Sequence, residues 1–115
     1  MANGTIKPSF KVTELLAERV ISNQSNYTLN DAVENYDIII LALAVSSGGT
    51  RAMNIVEKNM FTNPQNRNTL ISYFGAGNYW VSTTVRGSGN KIYTGNSQTG
   101  QSSLQPYLSV YGIKL

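Results

Sequence analysis

Short runs of β-branched, aromatic and aliphatic residues recur along the chain, and clusters of Gly, Asn and Ser separate them. Such spacing predicts an all-β sandwich or barrel of about eight strands. The expected strands run from Thr5 to Val12, Glu18 to Ser22, Tyr36 to Ser46, Ala52 to Glu57, Thr69 to Phe74, Tyr79 to Arg86, Lys91 to Thr94 and Leu104 to Lys114. Turn-forming residues fill the gaps: Asn23 to Asn26, Ser46 to Gly49, Asn63 to Asn66, Gly75 to Asn78, Gly87 to Asn90 and Gly95 to Ser103. The last of these, rich in Gly, Ser and Gln, reads as a mobile loop.

From Tyr36 to Val45 the chain is apolar at both parities, so both faces of this strand must be covered by protein. It is expected to be the central strand of the core, and in so small a chain its second face is covered either by a neighbouring subunit or within a small single-chain core. Two segments have helical character. Thr13 to Arg19 has good helix propensity while Val20-Ile21 pulls toward strand, and so short a stretch leaves both open. Thr28 to Asn35 carries capping residues ahead of Ala32-Val33 and allows one or two helical turns before the core strand. Between Tyr79 and Arg86, alternation sets Tyr79, Val81, Thr83 and Val85 on one face and Trp80, Ser82, Thr84 and Arg86 on the other. The segment from Leu104 stays apolar up to Leu115, which is expected to pin it into a sheet.

A length of 115 residues fits one domain spanning 1–115. Charged residues make up 13% of the chain, roughly half the usual share. In their place, 13 Asn, 5 Gln, 12 Ser and 10 Thr supply a neutral hydrogen-bonding surface. The absence of Cys and His removes disulfides, thiolate zinc sites and every Ser-His or Cys-His nucleophile pair. All six acids lie at or before Glu57, so Lys58, Arg67, Arg86, Lys91 and Lys114 follow unmatched. These dispersed cations fall short of a phosphate-backbone stripe, which argues against nucleic acid but keeps a pull toward anionic surfaces. The longest apolar run, Ile38 to Val45, is too short for a bilayer span, and the first residues lack a secretory signal pattern. A soluble protein without membrane insertion is expected.

The glycine pairs Gly48-Gly49, Gly75/Gly77 and Gly87/Gly89 lack the spacing of a phosphate-binding loop and fit turns that need positive φ. Carboxylates are the only acid–base candidates left. Glu14/Glu18 and Asp31/Glu34 sit close in sequence instead of converging from separate strands, and read as caps and solvated faces. No catalytic residue, cofactor or metal site is expected, and the protein reads as a binder, not an enzyme. Trp80, the single Trp, falls on the polar face of its strand. It is either a sugar-stacking platform or subunit anchor, or a lid on one end of the barrel packed under the Gly95 to Ser103 loop. Seven Tyr and 13 Asn suit the recognition of paired hydroxyls. The candidate binding residues are Trp80, Asn78, Arg86, Tyr93 and Asn96, on or beside the glycine-rich turns. Arg86 and Lys91 bias the choice toward anionic sugars.

Thr28-Leu29-Asn30-Asp31-Ala32-Val33-Glu34-Asn35-Tyr36-Asp37-Ile38-Ile39-Ile40, followed much later by Val110-Tyr111-Gly112-Ile113-Lys114, resembles the distal end of many bacteriophage tail-fibre and tail-appendage proteins. There a polar-flanked Asn-Tyr-Asp precedes a long apolar strand and the chain closes on Tyr-Gly-Ile-Lys. Lys11-Val12-Thr13-Glu14-Leu15-Leu16 is similar to the strand that opens such domains, which makes the ambiguous segment β. The resemblance implies a β-sandwich of jelly-roll type and a homotrimer exposed on the virion, on its tail or a surface appendage. It implies a protein made in the bacterial host cytoplasm, joined to other virion tail proteins, that adheres to a bacterial surface polysaccharide or protein. This chain carries its own Met and no fibrous stalk, so a fibre tip and a standalone virion protein both stay open. Two other classes stand beside adhesion. One is a structural virion subunit, for capsid decoration or tail assembly, whose Trp80 face meets another component; the other is a carbohydrate-degrading enzyme.

Overall fold

Residues 11–46, 51–73 and 77–115 are described by the computed structural model; the expected strand residues Thr5 to Phe10 and the turn residues Ser47 to Gly49, Gly75 and Ala76 lie outside them. Eight strands follow one another: β1 (Lys11–Val20), β2 (Ser25–Thr28), β3 (Ile38–Ala44), β4 (Arg51–Glu57), β5 (Asn68–Tyr73), β6 (Trp80–Ser88), β7 (Lys91–Thr99) and β8 (Tyr107–Lys114). A 3-10 turn at Val33–Asn35 precedes β3, and a five-residue helix α1 (Lys58–Thr62) follows β4. The strands form two four-stranded sheets, β1-β8-β3-β4 (sheet A) and β2-β7-β6-β5 (sheet B), and every pairing is antiparallel. The pair β1·β8 lies in sheet A and the nested pair β2·β7 in sheet B, the outer wrap that jelly rolls share, although the inner jelly-roll pairs β3·β6 and β4·β5 are replaced in this sandwich. Local hairpins, β3–β4 in one sheet and β5–β6–β7 in the other, complete it.

Period-two alternation builds the core between the sheets. Ile39, Leu41 and Leu43 of β3, with Leu108 and Val110 of β8, meet Leu70, Val81, Val85 and Ile92 of sheet B in one buried cluster. The opposite parity of β3 points to the outer face of sheet A, and there Ala42 and Ala44 are buried while Ile38 and Ile40 are half-buried.

The segment from Lys11 to Val20 is one continuous strand. This replaces two expected strands, with their break between Val12 and Glu18, and settles the helix–strand ambiguity as β. Its helix-like Leu15-Leu16 pair has a local cause. The register slips by one residue between Glu14↔Tyr111 and Leu16↔Val110, a bulge that turns both leucines into the core. The carbonyls that the bulge frees are taken up by Asn30, whose backbone N–H donates to Leu15 O at 2.8 Å and whose side-chain amide donates to Glu14 O at 3.2 Å.

Other boundaries also move. Ser25 to Thr28, expected as loop and helical turn, pairs with Lys91 to Thr94 as β2. The expected mobile loop from Gly95 is strand as far as Thr99, because its backbone pairs with β6 and its Ser97 hydroxyl finds a partner in Thr83. Leu104 to Pro106 lie ahead of β8, where Pro106 O accepts from Ile21 N–H at 3.0 Å. Helix α1 was not expected. Glu57 caps it by accepting from Met60 N–H at 3.2 Å, and Phe61, wholly buried, closes the crossover from sheet A to sheet B. Of the glycines read as turns, Gly77 and Gly89 do have φ of +76° and +58°, whereas Gly87 lies inside β6.

The connection from β2 to β3 is fixed by its polar residues. Asp31 accepts from Ala32 N–H at 2.8 Å, from the Asn35 amide at 2.9 Å and from the Tyr36 hydroxyl at 2.9 Å. These donors hold its carboxyl below its ordinary value, the Ala32 N–H most strongly. The Tyr36 phenol is pushed up, first by burial and then by the bond to Asp31. Glu34 reaches the β6–β7 turn, where Gly89 N–H donates to its carboxylate at 2.9 Å.

Candidate ligand-binding face

The outer face of sheet B carries the side chains of β6 that point away from the core: Trp80, Ser82, Thr84 and Arg86, none of them buried. Arg86 pairs across the ladder with Tyr93 of β7, and its guanidinium carbon lies 4.9 Å from the Tyr93 ring centroid. This is a cation–π stack. One row further along, Thr84 pairs with Gly95, and the missing side chain at Gly95 leaves a depression beside the Tyr93 ring. The cleft there has a volume of about 200 Å³ and is lined by Arg86, Tyr93, Thr84, Gly95 and Asn96 together with Arg67 and Gln24.

Two distant segments bring Gln24 and Asn96 to this cleft. In β7 the pairing slips between Ser82↔Gln98 and Thr84↔Gly95, so the strand carries one extra residue around Asn96. The bulge is held from inside by Thr83, whose hydroxyl lies 2.8 Å from the Ser97 hydroxyl. The β1–β2 turn is then tied onto it: Ser97 N–H donates to Asn23 Oδ1 at 3.0 Å and the Thr94 hydroxyl donates to Ser22 O at 2.7 Å.

Gln24 and Asn96 have φ of +53° and +49°, and among the described residues they are the two non-glycines with positive φ. That conformation costs about 1–3 kcal/mol for a residue with a side chain and gathers at ligand clamps. Both instances line the same cleft. With two guanidinium groups, neutral amides and hydroxyls, and no carboxylate among its lining residues, the cleft can hold an oxygen-rich anionic group.

A second cleft of about 270 Å³ lies beyond the Arg86–Tyr93 stack, which it shares as a wall, and its other lining residues include Asn26, Asn63, Pro64, Lys91 and Ile92. Arg86, Tyr93 and Asn96 of the expected site therefore come together, and Lys91 is beside them. Trp80 and Asn78 do not join them. Six residues of strand separate Trp80 from Arg86, about 20 Å at the rise of a β-strand.

Trp80 lies opposite Tyr73, half-buried at the far end of the same face. Its indole edge rests on Gly100, where a Cβ would come within 2.5 Å of Nε1 and 2.2 Å of Asn78 O. This fits the reading of Trp80 as packed under the chain that follows β7.

Sequence reasoning missed Gln24, Arg67 and Thr84. Thr84 was placed on the correct face but given no role. Arg67, between Asn66 and Asn68, stood out only as one of the unmatched cations. Gln24 reaches the cleft through a turn 70 residues away in the chain, and nothing local in the sequence announces it.

Among the described residues no three acidic side chains come together as a metal site, and no helix is long and apolar enough to cross a membrane. No family model matches the chain, and no curated protein matches its sequence.

Proposed function

We propose that this protein is a virion adhesion module, a bacteriophage tail-fibre tip or appendage that binds a bacterial surface glycan without chemical turnover. The observation that carries this reading is the cleft on sheet B. An Arg–Tyr stack, amides and hydroxyls line it, a strained backbone frames it, and it contains no acid–base pair. Such a surface grips sugars by stacking and neutral hydrogen bonds. The resemblance of the segments Thr28 to Ile40 and Val110 to Lys114 to tail-fibre ends supplies the virion context.

The outer face of sheet A supports the homotrimer. Ile55 and Ile38 or Tyr111 flank Ile40 along and across the sheet, and Met53 and Ser109 flank Ala42. Met53, Ile55 and Val12 leave 60%, 66% and 52% of their surface exposed. A contiguous apolar face of this kind marks an interaction surface, and copies of the chain meet through it. One face of the sandwich then serves assembly and the other serves the receptor.

The test is binding of the intact protein to an array of bacterial surface polysaccharides. Binding is expected, and Arg86→Ala and Tyr93→Ala each weaken it at least tenfold while leaving the unfolding midpoint in place. No binding to any polysaccharide or host cell sinks the adhesion reading. The same apolar face favours a second reading, a structural virion subunit docked through sheet A; a protein that binds no glycan but co-purifies in stoichiometric amount with virion particles supports it. Release of new reducing ends from a polysaccharide would make the protein an enzyme instead.

A further inference from the structure

Resting on the adhesion reading, we infer that the receptor segment spans two sugar residues, one acidic and one neutral, laid across the Arg86–Tyr93 stack. The two clefts share this stack but differ in chemistry. On one side Arg86 and Arg67 face a hollow floored by Gly95 and edged by Asn96. On the other, Pro64 and the Tyr93 ring give an apolar wall, with Lys91 and Asn63 at its border.

Each cleft is smaller than the roughly 300 Å³ at which pockets for drug-sized ligands begin. Each therefore takes one ring, and because the clefts share the Arg86–Tyr93 wall the two rings are neighbours in one glycan. A guanidinium stacked on a ring still presents its N–H edge for a bidentate bond to an oxyanion. No carboxylate lines either cleft and each has two cations, Arg86 with Arg67 in the first and Arg86 with Lys91 in the second; the two planar guanidinium forks of the first suit an oxyanion better than a lone ammonium, so the first cleft takes the acidic residue. Its charge comes from a uronate carboxylate or a phosphate ester. The second cleft takes a sugar whose apolar face lies on Pro64 and Tyr93.

The experiment has three arms, all on the full chain. In the first, ¹⁵N-labelled protein is titrated with sodium glucuronate, glucose 6-phosphate and glucose. Amide shifts are expected at Gly95 and Asn96 with one or both anions and not with glucose, and the anion that shifts them identifies the source of the charge. Equal shifts with glucose, or none with either anion, overturn the inference.

In the second arm, a disaccharide of glucuronate and N-acetylglucosamine binds at least tenfold more tightly than glucuronate alone and adds shifts at Lys91 and Ile92. Equal affinity overturns the two-residue assignment. Arg67→Gln lowers affinity for the disaccharide at least fivefold; Arg86→Lys, which keeps the charge but loses the fork, does the same. Affinity unchanged in both variants removes the first cleft as the anion site.

The third arm separates this inference from the reading it rests on. Array binding confined to neutral polysaccharides leaves the adhesion module standing and overturns the acidic residue, whereas no array binding at all sinks both. A thymidine oligonucleotide bound as tightly as the disaccharide marks a general polyanion surface and overturns the inference.

Discussion

The ring of Tyr36 rests on the Cα of Gly112: a Cβ at that position would stand 2.6 Å from the ring Cγ and Cδ1 and 3.0 Å from Cδ2. Gly112 is the β8 partner of Ile39 on one side and Thr13 on the other, so the ring lies across three strands of sheet A. Nearby, Asp37 N–H donates to Ile113 O at 2.9 Å and Leu115 N–H donates to Asp37 Oδ2 at 2.7 Å. The two ends of the tail-fibre-like pattern, Asn35-Tyr36-Asp37 and Tyr111-Gly112-Ile113, are thus one contact. They belong to the scaffold and lie outside the two candidate clefts of sheet B.

Gly112→Ala forces the ring off its seat and is expected to cost about 1–3 kcal/mol, the usual range for overfilling a packed site. Urea unfolding measures it. Tyr36→Phe keeps the ring and loses the hydroxyl's bonds to Asp31 and Thr13, a loss of about 1.5–3 kcal/mol because Asp31 is charged. A Gly112→Ala protein as stable as wild type would mean that the ring does not hold this position.

Stability should respond to acid through Asp31. Its folded carboxyl is held below the ordinary 3.8 by Ala32, Tyr36 and Asn35, so its contribution is complete above that value and fades as pH falls through the lower folded one. The Tyr36 phenol is raised above 10.0, so its contribution holds below that pH and is lost as pH climbs through the folded value. Unfolding midpoints of wild type and Asp31→Asn should differ most at neutral pH and converge in acid. A constant gap from pH 7 down to pH 2 contradicts the assignment.

Self-association is expected to run through sheet A. Ile55→Glu places a charge on the edge strand of its apolar outer face, at a side chain that is 66% exposed in the single chain. Light scattering should show the wild type as a trimer and Ile55→Glu as a monomer with an unchanged far-ultraviolet circular dichroism spectrum. A wild-type monomer at high concentration removes the subunit contact.

Backbone strain at the cleft should trade stability for binding. Gln24→Gly relieves the φ of +53° and is expected to stabilise by about 1 kcal/mol, a rise of roughly 4 °C in Tm for a domain of this size. The same change removes a cleft-lining side chain and weakens glycan binding. A fall in Tm would show that Gln24 is not strained where it stands.

Much of this architecture could be read from parity. The apolar run from Ile38 to Val45 does form an inner strand, with one face in the core and Ile38 and Ile40 half-buried on the other, and Val81, Thr83 and Val85 do turn inward opposite Trp80, Thr84 and Arg86. Parity fails where a bulge inserts a residue. Leu15-Leu16 and the stretch around Asn96 each break the alternation, which leaves helix propensity to decide the reading of the first and Gly, Ser and Gln content that of the second. The cleft was half legible for a related reason: Arg86, Tyr93 and Asn96 lie on one hairpin, while Arg67 and Gln24 arrive from other parts of the chain. Trp80 was singled out for its rarity and its polar face, but Gly100, which fixes where its ring rests, is a contact that no local pattern encodes.

Sheet A places β8 between β1 and β3, although it follows every other strand in the chain. Ribosomal synthesis up to Pro106 thus yields a polypeptide with a vacant slot at the heart of the sheet, unable to zip β1 to β3. Sheet A is expected to close only when 107–115 are present, and a free peptide of 107–115 added to a chain cut after Pro106 should fill the slot, as the two halves of a split reporter reunite.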